Sequence, residues 1–241
     1  MNRLTRILLK NIHRLPGLYA GLCRYARHPE RHTEQEMYDY ICSILSHVIS
    51  SGNVDLEVNG LENIPAEGGL LLYGNHQGMF DIVALAHTCP RPLAAVLKKE
   101  LKNVPLLKQI IACTKSFPMD REDVRQSLTV IQNVTEEVKK GRAYVIFPEG
   151  TRSKTGNTMK PFHAGSFRAA IKSKVTVLPV AFIDCFKVLD QPGCEKLTVQ
   201  MHYLPPITPE EYAGMKAADL AQLVQERIEA CIQANAPAEE A

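Results

Sequence analysis

Between Val54 and Tyr203 the sequence alternates short apolar runs of strand length with longer stretches of helical period, and this alternation restricts the fold more than any other feature. Val54, Leu56 and Val58 alternate with polar residues, the pattern of a half-buried strand. Leu70–Tyr73, Leu93–Leu97, Ala143–Phe147 and Val175–Ile183 are nearly continuous apolar runs, as expected of strands covered on both faces. Further strands are expected near Lys115–Phe117 and over Leu197–Tyr203. Helical period fits Asp81–Thr88, Val104–Ala112, Glu122–Lys140 closed by Gly141, and Gly165–Lys172. A last helix from about Ala217 places Leu220, Leu223, Val224, Ile228 and Cys231 on one face. Strands alternating with helices predict an α/β fold, a largely parallel or mixed sheet flanked by helices.

The first fifty residues have helical period only. Leu4, Ile7, Leu8, Ile12 and Leu15 share one face, with Arg3, Arg6, Lys10, His13 and Arg14 on the other. Pro16-Gly17 is expected to break this pattern, which resumes with Leu18, Leu22 and Tyr25 opposite Arg24 and Arg27. Glu30 is the first acidic residue of the chain. A basic face behind an apolar one also fits a surface helix docked on its own core, but the excess of Lys and Arg over acids in the first thirty residues favours a helix lying in the plane of an anionic membrane surface. Thr33 and Glu36 form a capping box ahead of Met37, Tyr40, Ile41, Ile44, Leu45 and Val48, and Gly52 closes that third helix.

Charge and cysteine usage exclude some functions. Lys and Arg number 28 against 26 Asp and Glu, so the formal charge of +2 gives no reason to expect nucleic-acid binding. The seven cysteines include no C-x-x-C and fit reduced thiols of a cytosolic compartment. No apolar run approaches the roughly 20 residues of a spanning helix, and the basic N-terminus has no continuous apolar core of a secretory signal. Neither a metal-site spacing such as H-E-x-x-H nor a dinucleotide or P-loop fingerprint is present, so no metal and no tightly held cofactor are expected. The tail Ala234–Ala241 is acidic, rich in Ala and Pro, and expected to fray.

Chemistry is expected on the loops after strands. Two such loops stand out, Asn75-His76-Gln77-Gly78-Met79-Phe80-Asp81 after Leu70–Tyr73, and Phe147-Pro148-Glu149-Gly150-Thr151-Arg152-Ser153 after Ala143–Phe147. A carboxylate five residues after His76 can hold one ring nitrogen as N–H and leave the other free as a base. The same spacing also describes a surface histidine near a helix cap, so it decides nothing alone.

The two motifs together resemble the glycerolipid acyltransferase family, specifically its 1-acylglycerol-3-phosphate acyltransferases. Lys99-Glu100-Leu101 with Pro105, Phe117 with Asp120-Arg121, Lys160-Pro161-Phe162 with Gly165, and Val177-Leu178-Pro179-Val180 are similar to further family segments in the same order. The resemblance runs from about residue 55 to 205; Gly78, Pro118 and Met119 depart from the family's usual residues.

The resemblance implies transfer of a fatty acyl group from an acyl thioester, acyl-CoA or acyl carrier protein, to the free hydroxyl of lysophosphatidic acid. His76 is then the general base, oriented by Asp81, and no covalent acyl-enzyme is needed because the acceptor hydroxyl is the nucleophile. Arg121 and Arg152 are expected to bind the acceptor phosphate, with Gly150, Thr151 and Lys160 beside them. Asn75, Glu149 and Lys99 are expected in support, although Glu149 and Lys99 also fit solvated surface positions. The basic amphipathic pattern gives the expectation of a helical membrane-surface segment over 1–52 ahead of a catalytic domain over 53–241. With a bilayer-resident acceptor and no spanning run, a peripheral place on the cytoplasmic face of the membrane is expected. Glycerol 3-phosphate or another lysolipid as acceptor, and a non-catalytic lipid-binding protein, are the alternatives.

Overall fold

The computed structural model describes residues 1–237 of the 241. Three helices open the chain, α1 (Arg3–Asn11), α2 (Leu15–Arg27) and α3 (Glu34–Gly52). There follow β1 (Val54–Asn59), β2 (Leu70–Gly74), α4 (Phe80–Thr88), β3 (Leu93–Lys98), α5 (Leu107–Thr114) and β4 (Phe117–Met119). The remainder runs α6 (Val124–Lys139), β5 (Ala143–Ile146), α7 (Arg168–Ser173), β6 (Thr176–Ile183), α8 (Phe186–Leu189), β7 (Leu197–Tyr203) and α9 (Ala217–Asn235). Of the tail expected to fray, Ala234 and Asn235 close α9, and residues 238–241 lie outside the described residues.

The strands form one seven-stranded sheet in the order β1-β7-β6-β2-β5-β3-β4. Pairing is parallel except between β6 and β7. Leu70 to Gly74 are all buried because β2 is central and helices cover both faces. Leu71, Tyr73, Tyr144 and Ile146 pack against Val130, Val134 and Val138 of α6 and Leu220, Val224 and Ile228 of α9. Leu70, Leu72, Ala143 and Val145 face the other way, onto Tyr38 of α3, Phe80 and Leu85 of α4, and Val188 of α8. Each Leu, Ile, Val or Phe side chain among them contributes about 1.5–3 kcal/mol of burial, so the register that separates the two sets is strongly fixed.

Parallel pairing has one consequence for the site. β6, β2, β5, β3 and β4 are neighbours and run the same way, so the loops after all five emerge along one edge of the sheet.

Several expected boundaries move. The helix expected from Val104 begins at Leu107, because residues 99–103 form a 3-10 turn and Leu106 has a left-handed φ of 73°. The expected strand at Lys115–Phe117 lies at Phe117–Met119, and α6 starts at Val124 because Asp123 caps it through the N–H groups of Arg125 and Gln126. The stretch expected as one helix from Gly165 opens with a 3-10 turn over Ala164–Phe167.

The N-terminal segment differs more. The break between its two helices lies at residues 12–14, and Pro16 starts α2 from a first-turn position where its missing N–H costs nothing. Arg3, expected on the outer polar face, is buried. Its Nε donates to the Gly52 carbonyl at 2.9 Å, Nη1 to those of Lys187 and Val188 at 3.1 and 3.2 Å, and Nη2 to that of Glu195 at 2.7 Å. The Gly52, Lys187 and Val188 carbonyls close α3 and α8 and have no partner within their own helices, and Glu195 lies on the loop before β7. Asn11 docks beside it, donating to Ser51 Oγ at 2.7 Å, and Ile7 lies buried between them. With Arg3, Ile7 and Asn11 turned inward, Leu4, Leu8 and Ile12 form an outward stripe at four-residue spacing, 45%, 49% and 62% exposed. No helix among the described residues is long and apolar enough to cross a membrane.

Candidate active site

Three neighbouring strands, β5, β2 and β6, deliver the loops that form the site. His76 leaves the end of β2. Its Nδ1 lies 2.8 Å from Asp81 Oδ2, and the same oxygen accepts the N–H groups of Gln77 at 2.7 Å and Gly78 at 3.0 Å. An oxygen already facing two N–H donors acts as an acceptor, so the ring proton belongs on Nδ1 and Nε2 is left free. The ring stacks on Phe147, with centroids 4.3 Å apart.

Asp81 is fully buried, and its Oδ1 has no hydrogen-bond partner. Burial pushes its carboxyl above the ordinary aspartate range, against the pull of the His76 ring and the two backbone N–H groups. An unpartnered buried oxygen beside a half-buried histidine makes this pair the candidate for chemistry.

Glu149, expected as an orienting group beside Arg152 or as a surface carboxylate, is buried and bonded to main chain instead. Its Oε1 accepts the His76 N–H at 2.7 Å, and its Oε2 accepts the Lys160 N–H at 3.2 Å. Ser153 N–H returns a bond to the His76 carbonyl at 2.8 Å. Burial raises this carboxyl as well, opposed by its hydrogen bonds to His76 and Lys160. Asn75 ties the same loop to β6 with a reciprocal pair, Nδ2 to the Phe182 carbonyl at 2.9 Å and Phe182 N–H to Oδ1 at 2.8 Å. Gln77 continues the network, donating to Asn157 Oδ1 at 2.7 Å and accepting from Cys185 N–H at 3.1 Å.

The remaining candidates divide into two groups. Arg121, Gly150 and Thr151 line a cleft of about 510 Å³ together with Phe147 and Glu149. Gly150 has a φ of 70°, a conformation that favours glycine, where the chain turns back through its N–H to the Phe147 carbonyl. Val96, Met119, Leu128, Ile131 and Ile146 supply apolar wall in the same cleft, and His163 and Arg168 add polar lining. Arg152 and Lys160 stand outside that lining. The Arg152 guanidinium pairs with Asp190, and Lys160 Nζ donates to the Arg152 carbonyl at 3.1 Å. Lys99 pairs with Asp120, next to Arg121, so it braces the end of β4 rather than lying free.

Phe147 and Gln77 sit inside the motifs and were available to the sequence reading as their neighbours. Asp190, Asn157 and Arg168 had no such signal. Asp190 reaches Arg152 across 38 residues and Met79 across 111, where no local spacing applies.

The sequence matches the family model described as Acyltransferase over residues 55–183. It is 31% identical over 183 residues to the 1-acyl-sn-glycerol-3-phosphate acyltransferase of Saccharomyces cerevisiae, covering 73% of this chain and 59% of that protein. It is 31% identical over 155 residues to the Salmonella typhimurium protein of the same name, covering 64% of this chain and 63% of that one. The chain thus spans roughly three fifths of the length of these curated relatives. The crystal structure of the 1-acyl-sn-glycerophosphate (LPA) acyltransferase PlsC from Thermotoga maritima has the same fold, with a TM-score of 0.73 at 21% identity over 96% of this chain and 97% of that one.

The bridge through Glu149 is testable alone. Glu149→Gln turns one of its two acceptors into an N–H donor facing a backbone N–H. The variant should lose about 1–3 kcal/mol of folding free energy, read as a lower denaturant midpoint. An unchanged midpoint would mean that the two loops hold their places without it.

Proposed function

The chain belongs to the acyltransferase family, and on that premise we propose that it transfers a fatty acyl group from an acyl thioester to the free hydroxyl of 1-acylglycerol 3-phosphate, giving phosphatidic acid. The observation that carries the reading is the His76–Asp81 pair, set with its free Nε2 beside Phe147 at the edge of a cleft that is apolar on one part of its wall and holds Arg121 on another. An alcohol attacks a thioester only as it loses its proton. His76 Nε2 takes that proton as the acceptor oxygen bonds to the thioester carbonyl carbon. The tetrahedral intermediate collapses, the carbon–sulfur bond breaks, and the imidazolium returns the proton to the departing thiolate. Asp81 stabilises the imidazolium through Nδ1–H.

No enzyme nucleophile enters this sequence. Cys185, the cysteine nearest the pair in the hydrogen-bond network, is fully buried, and burial with the Asp81 and Asp184 carboxylates raises its thiol well above the ordinary range. The donor thiol belongs to coenzyme A or an acyl carrier protein. The apolar cleft wall suits an acyl chain, while Arg121 and Arg152 suit the acceptor's phosphate through the planar guanidinium fork. Gly150, without a side chain, lets the main chain approach the same charge, with the Thr151 N–H as a backbone donor.

The acceptor lives in a bilayer, and the stripe of Leu4, Leu8 and Ile12, extended by Leu15 and Tyr19, supplies an apolar face for the cytoplasmic leaflet. Lys10 and Arg14 sit on the same segment, and each cation near an anionic surface contributes about 1 kcal/mol. The protein is then a peripheral one on that membrane face.

His76→Ala should reduce turnover by about 10² to 10⁴ while the protein remains folded by circular dichroism. Near-normal thiol release from a folded His76→Ala variant would sink the proposed reaction. For the membrane, binding to anionic vesicles should fall with added salt and vanish in the Leu8→Glu/Ile12→Glu double variant. Equal sedimentation of wild type and variant with the vesicles would reject this face as the anchor.

A further inference from the structure

Asp190 follows α8 directly and joins the loops that carry His76 and Arg152. Its Oδ2 accepts the Met79 N–H at 2.9 Å, and its Oδ1 pairs with Arg152 Nη1. The carboxylate also fills the space that a side chain at position 78 would need. A Cβ built on Gly78 would stand 2.5 Å from Asp190 Oδ2 and 3.0 Å from Phe186 Cα. Gly78 is outside the left-handed region, so it is room for Asp190, not backbone freedom, that this glycine provides.

Arg152 is thereby held at both ends, its carbonyl by Lys160 Nζ at 3.1 Å and its guanidinium by Asp190. A guanidinium has five N–H donors, and engagement of Nη1 leaves Nε and Nη2 available to two phosphate oxygens. We infer that Asp190, given room by Gly78, is the positioning residue that presents Arg152 to the acceptor's phosphate. The inference rests on the reading of Arg152 as a phosphate ligand.

The sign of the effect separates positioning from simple charge neutralisation. If Asp190 only offset the charge of Arg152, its removal would tighten binding of an anionic acceptor. A positioning residue does the opposite, because a freed arginine spreads over many rotamers and must be ordered again on binding. The test uses full-length Asp190→Ala, Gly78→Ala, the double variant and Arg152→Ala, each assayed with detergent-dispersed 1-acylglycerol 3-phosphate and with monoacylglycerol.

Asp190→Ala should raise KM for the phosphate acceptor about tenfold, the loss of one charge-assisted contact, with kcat within about twofold and the monoacylglycerol KM unchanged. Gly78→Ala should raise the same KM by displacing the carboxylate, and adding it to Asp190→Ala should raise it no further, since both remove one interaction. Should Gly78→Ala not fold, Asp190→Ala alone decides. A KM for the phosphate acceptor that stays or falls in Asp190→Ala, or additive effects in the double variant, would overturn the inference. If Arg152→Ala shifts the phosphate preference and Asp190→Ala does not, the inference fails by itself. If Arg152→Ala leaves that preference unchanged, the phosphate reading fails and takes the inference with it.

Discussion

One buried carboxylate joins the two loops on which the site depends. Glu149 accepts the His76 N–H with one oxygen and the Lys160 N–H with the other, at the junction of adjacent parallel strands. Burying a carboxylate costs several kcal/mol unless its oxygens are satisfied, so the contact is stable only when both loops are in place. This makes the bridge conditional in both directions. The β2 and β5 loops fix the carboxylate, and the carboxylate fixes the backbone from which the His76 ring projects. Arg152 and the cleft residues Gly150 and Thr151 follow on the same loop, so the proposed base and the proposed anion site are placed by one interaction.

The sheet makes that interaction reachable. Because β5, β2 and β6 are consecutive neighbours running in one direction, residues 73 positions apart in sequence meet at one edge. The third loop closes the set from the side of β6. Asn75 bonds to Phe182, Gln77 to Cys185 N–H, and Asp190 to both Met79 and Arg152. α1 reaches the same region, since Arg3 donates to carbonyls of Lys187 and Val188 in α8. The outward apolar stripe of α1 is therefore tied through α8 to the residue that holds Arg152.

What the sequence displayed and what it concealed have physical reasons. Strands buried on both faces show as apolar runs, so Leu70–Tyr73, Ala143–Ile146 and Thr176–Ile183 were legible, and with them the loops after each. Helix ends were less so, because the left-handed Leu106 and the 3-10 turn at 99–103 depend on packing rather than period. Arg3 read as an outer residue because helical projection registers its charge and not the four distant carbonyls that receive it. His76, Asp81 and the 147–153 segment stood out as polar loops after apolar runs, while Arg121 and the roles of all of them came only from the family resemblance. The buried role of Glu149 and the clamp by Asp190 did not, since both consist of contacts between elements far apart in the chain.

The central claim is that Asp81 fixes the proton of the neutral His76 ring on Nδ1 and leaves Nε2 free to accept the proton of the acceptor hydroxyl. Nitrogen-15 NMR of histidine-labelled protein reads this directly, because the protonated and unprotonated ring nitrogens of a neutral imidazole resonate far apart. With the signals assigned by loss in His76→Ala and followed to alkaline pH, Nδ1 should carry the proton, and Asp81→Ala should shift the balance toward Nε2–H. A neutral ring protonated on Nε2 in the wild-type protein would contradict the account.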